Sequence, residues 1–194
     1  TIRSNGFGRI VGDDAESTAL NRTHLKSANG YLVAAAYYGI GEPDQPIRTD
    51  VRNIAAQTFG EGAGVSILEK DSLAVGLIDQ INGVSTVDGD VSLTLFGGTL
   101  SLGVPVQRTN SSGQLLWQDA NKTVPIWETD ENGDIIYEGG RLMVGDARVS
   151  ITADDVDVDS MISAAGGILE LQPVRFDATI GLAGSRATAD AVLV

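Results

Sequence analysis

Short aliphatic segments interrupted by glycine limit what this chain can fold into more than any other feature. The longest apolar stretch, residues 31–38, is strand-sized, and none approaches the ~20 residues of a membrane-spanning helix. Elsewhere apolar and polar residues alternate over four to six positions and then stop at a turn, which is the period of a half-buried β-strand. The clearest case is Val91-Ser92-Leu93-Thr94-Leu95-Phe96, Gly97-Gly98, Thr99-Leu100-Ser101-Leu102-Gly103-Val104. A Gly-Gly pair admits positive φ, so this segment reads as a tight hairpin with Leu95 opposite Leu100, Leu93 opposite Leu102 and Val91 opposite Val104. A second hairpin is expected at 135–144 around Gly139-Gly140, with Glu138 and Arg141 as a cross-strand ion pair.

Further strands are expected around Val149 and Ile151, Val156 and Val158, 168–171, 174–180 and 191–194, and residues 31–38 read as a strand buried on both faces. Helix is a minor component. Asp50 can cap a helix over 51–59, where Val51, Ile54 and Ala55 share a face and Gly60 stops it. Leu73, Leu77, Ile78 and Ile81 fit a helix, while Leu73, Val75 and Leu77 fit a strand equally, so that segment stays open. With 24 glycines and short polar turns, these elements predict an all-β fold. The expected form is a single antiparallel β-sandwich or jelly-roll barrel with one or two short helices, spanning 1–194 as one domain. No internal repeat is evident, and 60–64 is the expected long flexible loop.

Composition sets the physical conditions. Hydrophobic residues make up 42% but aromatics only 5%, so the core must be built from Val, Leu, Ile and Ala. The absence of cysteine excludes disulfides, thiolate metal sites and cysteine nucleophiles. The net charge is −13, from 18 Asp and 8 Glu against 10 Arg and 3 Lys. Such a balance suits molar salt, where screening shortens electrostatic repulsion to ~3 Å, and it also suits an ordinary acidic protein that stays soluble. In both cases it argues against nucleic-acid binding, which needs clustered Lys and Arg. The start, Thr1-Ile2-Arg3-Ser4, lacks the apolar run of a signal peptide and reads as a mature end.

Motifs for chemistry are sparse. His24 is the sole histidine and has no Gly-x-Ser-x-Gly elbow to accompany it, so it reads as a surface or capping residue. The glycine run 60–64 lacks the Gly-Lys-Ser/Thr ending of a phosphate loop. Two acidic stretches offer oxygen ligands to a hard cation. Glu128-Thr129-Asp130-Glu131-Asn132-Gly133-Asp134 has alternate oxygens and a sixth-position Gly, but Gly139 occupies the twelfth position, where a calcium loop wants Glu. It suits a turn at Asn132-Gly133 better. In Asp154-Asp155-Val156-Asp157-Val158-Asp159, strand alternation sends Asp155, Asp157 and Asp159 to one face, which reads as a solvated surface before a calcium ladder. Trp117 and Trp127 could form a sugar platform, though strand or interface packing is the plainer use. Asn21-Arg22-Thr23, Asn110-Ser111-Ser112 and Asn121-Lys122-Thr123 are glycosylation sequons. No catalytic, cofactor or metal residue is assigned, and the chain reads as a non-enzyme.

Taken as a profile from Thr1-Ile2-Arg3-Ser4 through the Gly-Gly hairpins to Val194, the chain resembles the smaller major capsid protein of tailless icosahedral haloarchaeal viruses with an internal membrane, the sphaerolipovirus-like group. That resemblance implies an upright single jelly roll and a structural virion protein. It implies pairing with itself and with a larger capsid protein in capsomers above the viral membrane, with no nucleic acid and no small-molecule substrate. Two other functions fit the residues: an extracellular β-sandwich module of a surface layer or adhesin with a sugar or calcium site, and a β-sandwich glycoside hydrolase using two acids.

Overall fold

The computed structural model describes residues 2–3, 8–10, 25–105, 137–175 and 181–183, with scattered positions between 108 and 133. It is an all-β parallel solenoid of about five turns, and not an antiparallel jelly roll or barrel. Each turn lays one strand on each of three sides. Val65–Glu69, Val91–Leu95, Arg148–Thr152 and Ile168–Gln172 stack on the first side. Leu73–Val75, Thr99–Leu102, Asp155–Val158 and Gly181–Ala183 stack on the second. Val84–Val87, Leu142–Val144 and Ile162–Ala164 stack on the third. The long strand Ile47–Glu61 bends around all three sides and pairs with the first member of each stack. Leu25–Ala36 lies on it in turn.

This geometry explains why alternation was legible while pairing was not. Val91, Leu93, Leu95, Leu100 and Leu102 are all buried, as their period of two requires. Yet 91–95 and 99–102 do not pair with each other. Leu100 aligns with Leu73 and Val156, and Leu93 with Ile67 and Ile151. Gly97-Gly98 turns a corner between two sides instead of closing a hairpin. Gly98 has φ +79°, and a Cβ there would sit 2.2 Å from Ser72 Oγ on the turn before. Stacked turns approach so closely at this corner that glycine is needed.

The expected helix over 51–59 is strand. Thr49, Val51, Ile54, Ala56 and Thr58 point inward, and neighbouring strands on both edges take up the backbone groups. Among the described residues there is no helix. The open segment 73–81 resolves into Leu73–Val75 and a small antiparallel hairpin, Leu77–Ile78 with Ile81–Asn82. The run 60–64 is a tight corner rather than a long loop: Gly60 N donates to Tyr37 O at 2.9 Å and Gly62 N to Val87 O at 2.9 Å. Segment 191–194 lies outside the described residues, as does 176–180 of the strand expected at 174–180.

An internal repeat exists after all. Aligned inward residues Ile47 and Ile67 are 20 positions apart, as are Ile151 and Leu171. The step from Ile67 to Leu93 is 26 and that from Leu93 to Ile151 is 58, because those turns carry insertions. The core is a set of aliphatic columns through the stack, such as Ile40, Val65, Val91 and Val149, each nearly or fully buried, and among the described residues no aromatic belongs to it. Each such Ile, Leu or Val contributes roughly 1.5–3 kcal/mol by leaving water.

Candidate functional site

The two insertions fall at the same corner, between the second and third sides, in adjacent turns. The turn after them crosses this corner directly, from Val158 to Ile162, and the long strand crosses it between Ile54 and Ala56. In the turns between, residues 77–82 form the hairpin and residues 103–140 form an arm. Val104–Pro105 and Tyr137–Glu138 pair antiparallel at the base of the arm. Among the strands of the described residues, these two pairs are the antiparallel ones. The second hairpin expected at 135–144 is therefore split: Glu138 belongs to the arm, and 142–144 runs parallel in the third side.

Glycines form the necks. Gly83 N donates to Gly76 O at 2.9 Å, closing the hairpin. A Cβ on Gly140, φ +79°, would lie 2.0 Å from Gly103 N and 2.6 Å from Val75 O. Without side chains, both strands of the arm leave the solenoid within one turn spacing.

Most of the motifs singled out in the sequence lie on this arm. Arg108 N donates to Ile126 O at 2.8 Å, Leu116 N to Arg108 O at 2.8 Å and Ile126 N to Leu116 O at 3.1 Å, so the arm carries backbone order of its own. Asn110, of the second sequon, is exposed, and its Oδ1 accepts from Ser112 N and Gln114 N, both at 2.9 Å. Asn121, of the third, is exposed as well. Trp117 is half-buried, Glu128 half-buried, and Glu131 and Gly133 exposed. Trp127, Asp130, Asn132 and Asp134 lie outside the described residues, as do Asn21 and His24. At the hairpin, Asn82 Oδ1 is buried and accepts no hydrogen bond.

The Asp154 to Asp159 stretch is built into the second side. Asp154 binds the next turn, accepting from Val174 N at 3.1 Å, Arg175 N at 3.3 Å and Arg175 Nε at 3.0 Å. Asp155 accepts from Thr99 Oγ1 at 3.2 Å. Desolvation, then the charges of Asp159 and Asp155, push the Asp157 carboxyl above its ordinary range. Val156 between them is fully buried.

The remaining corner, between the first and second sides, holds a cluster that sequence reasoning missed. Asp50, Glu69 and Asp71 bring carboxylate oxygens within 4.8 Å of one another. Asp50 is no helix cap. It stands in register below Lys26, and Lys26 Nζ and Lys70 Nζ each lie 3.2 Å from its Oδ2. These lysine hydrogen bonds hold its carboxyl below the usual range. Glu69 is fully buried at an inward position. It accepts from Thr49 Oγ1 at 2.6 Å, Lys70 N at 2.8 Å and Val51 N at 3.3 Å, while burial pushes its carboxyl upward. The signal was present: Val65, Ile67 and Glu69 share strand parity, which places the glutamate inside. With two lysines on one acid and three donors on another, the cluster acts as a clamp between turns.

A surface groove of about 450 Å³ lies at the third corner, lined by Arg9, Tyr38, Glu42, Asp44, Asp88 and Asp90 among others. Arg9 is ion-paired to Glu42. Asp88 and Asp90 accept the backbone N–H of Asp146 at 3.1 Å and Arg148 at 2.8 Å, so both bind one turn to the next.

No family model, curated protein or solved structure matches this chain.

Proposed function

We propose that the chain is a non-catalytic structural and recognition module of an exterior surface, in which a rigid β-solenoid displays the 103–140 arm and the neighbouring 77–82 hairpin. The observation that carries this reading is the clustering of both insertions at one corner of adjacent turns. A solenoid tolerates insertions at any corner, and those on one edge are commonly where a partner is met. Trp117 and the exposed Asn110 and Asn121 suit contact with carbohydrate-rich surroundings. The clustered acids favour the non-catalytic part of the reading, because Asp50, Glu69, Asp88, Asp90 and Asp154 all hold backbone or lysine groups in place.

A virion-shell role rested on an upright jelly roll, and the solenoid takes that support away. Self-association, a larger structural partner and a virion or cell-surface setting remain part of the proposal. So does the lack of a nucleic-acid partner, for which −13 is the support.

The test deletes 104–139, so that Gly103, Gly140 and Arg141 join Leu102 to Leu142 as the three residues Asp159, Ser160 and Met161 join Val158 to Ile162. Full-length and shortened chains are then compared on a polysaccharide array. Retention of glycans by the full chain alone, with unchanged circular dichroism, supports the arm as the contact. Equal retention by both chains removes the arm as the contact, none by either removes the carbohydrate reading, and glycan turnover would remove the non-catalytic one.

A further inference from the structure

The third side of the solenoid differs from the other two in charge. Charged residues make up 20% of the chain, yet Val84–Val87, Leu142–Val144 and Ile162–Ala164 contain none, and neither does 54–60 of the long strand above them. The first side carries Arg48, Arg148 and Glu170, and the second carries Arg52, Asp155 and Asp157. On the third, the outward row runs Arg3, Ala35, Gln57, Ser85, Met143, Ser163 through six stacked strands, and its one charged position is on the end strand. In and beside this row, large apolar side chains face solvent: Met143 in the row is 41% exposed, and Phe59 52%, Val87 47% and Met161 44% beside it. Charge stands at its margins: Arg3 on the end strand, Glu61 in register with Val87, and Arg141 just before Leu142.

We propose that the third side is a self-association face, on which a second copy of this chain packs sheet to sheet. The occupant follows from charge. Two copies at −13 each meet carboxylates wherever the first or second sides are brought together, and burying unpaired carboxylates is unfavourable. Among the described residues, the third side alone has an uncharged centre, with Arg3, Glu61 and Arg141 confined to its rim, so the same surface can meet itself there without burying like charges, as an isologous two-fold contact requires. A basic or acidic partner would find only those three rim charges to pair with. Stacked strands at ~4.8 Å spacing make a broad ladder, and sheets pack face to face at ~10 Å, which side chains the size of Met and Phe can fill. This surface is distinct from the arm, so the two can be tested separately.

Sedimentation of the full chain in ~1 M salt should show a dimer. The double variant F59D/M143D should dissociate at least tenfold more readily, while T94D/S150D on the first side should leave the dimer unchanged. Both pairs are at solvent-facing positions, and circular dichroism checks that each variant folds. Because the chain has no cysteine, a single thiol reports contact directly. M143C should give covalent dimers with a short bifunctional thiol reagent, and S150C should not. The arm-deleted chain should still dimerise. A monomeric full chain, equal dimerisation of the two double variants, or a dimer lost on arm deletion would each overturn the assignment.

Discussion

Replacing Glu69 probes how the turns are held together. Its carboxylate sits at an inward position and receives the Thr49 hydroxyl, the Lys70 N–H and the Val51 N–H. Glu69→Leu fills the same space but leaves those buried donors without an acceptor, at about 1–3 kcal/mol for each that finds no other partner. The Thr49 hydroxyl can rotate away and the backbone donors cannot, so a net loss of about 2–4 kcal/mol is expected. Glu69→Gln keeps one oxygen for Lys70 N and opposes Val51 N with an N–H, one donor conflict instead of several, and should cost about 1–2 kcal/mol.

The pH dependence carries a second signature. Burial raises the Glu69 carboxyl above its ordinary 4.5, so the folded state binds a proton more readily than the unfolded state. Its contribution is fully present below the unfolded value and is lost as pH rises through the folded one. The stability gap between wild type and Glu69→Gln should therefore narrow as pH is raised from 4.5 toward neutrality. Urea melts at several pH values measure both effects. A Glu69→Leu variant as stable as wild type would refute the clamp and show the carboxylate to be a burden, as some buried charges are.

Four other outcomes are expected. Gly140→Ala, whose Cβ would meet Gly103 N at 2.0 Å at φ +79°, should cost more than 3 kcal/mol by thermal melting. Gly97→Ala, with nothing within 4 Å of its Cβ, should stay within about 0.5 kcal/mol. Lysine hydrogen bonds lower the Asp50 carboxyl and the Arg148 contact lowers that of Glu170, so their contribution is present above the unfolded values and lost as pH falls through the folded ones. In acid titration, Asp50→Asn should flatten the loss of stability below about pH 4. Mass and melting temperature should both rise from ~0.1 to ~3 M NaCl, because screening weakens repulsion between −13 chains while apolar contact persists; constant values would refute the salt-adapted reading. His24→Ala should leave array binding and dimer mass unchanged, and loss of either with the fold intact would reveal a role for it.

The sequence by itself determined an all-β chain and, where alternation is strict, which residues point inward, while 51–59 read as helix and became strand only in the stack. Alternation at 91–95, 99–102 and 149–151 is a local property, and any sheet that buries one face must respect it. The aliphatic core was legible for the same reason, and glycine was legible as a turn residue, though as the turn of a hairpin and not as a corner between stacked sides. Partnership was not. Leu100 packs as well opposite Leu95 in a hairpin as beside Leu73 and Val156 in a stack, because aliphatic side chains do not encode which neighbour they meet. Gly97-Gly98 serves either a hairpin or a corner.

The 20-residue period was hidden because the turns that would have shown it are lengthened by 77–82 and 103–140. Only stacking made that period a distance in space. It set Lys26, Asp50 and Lys70 one above another, brought Glu69 under Thr49, and collected uncharged strands from 55 to 164 onto one side. These juxtapositions join residues a turn or more apart in the chain. They are decided by parallel register between turns, which no local pattern specifies.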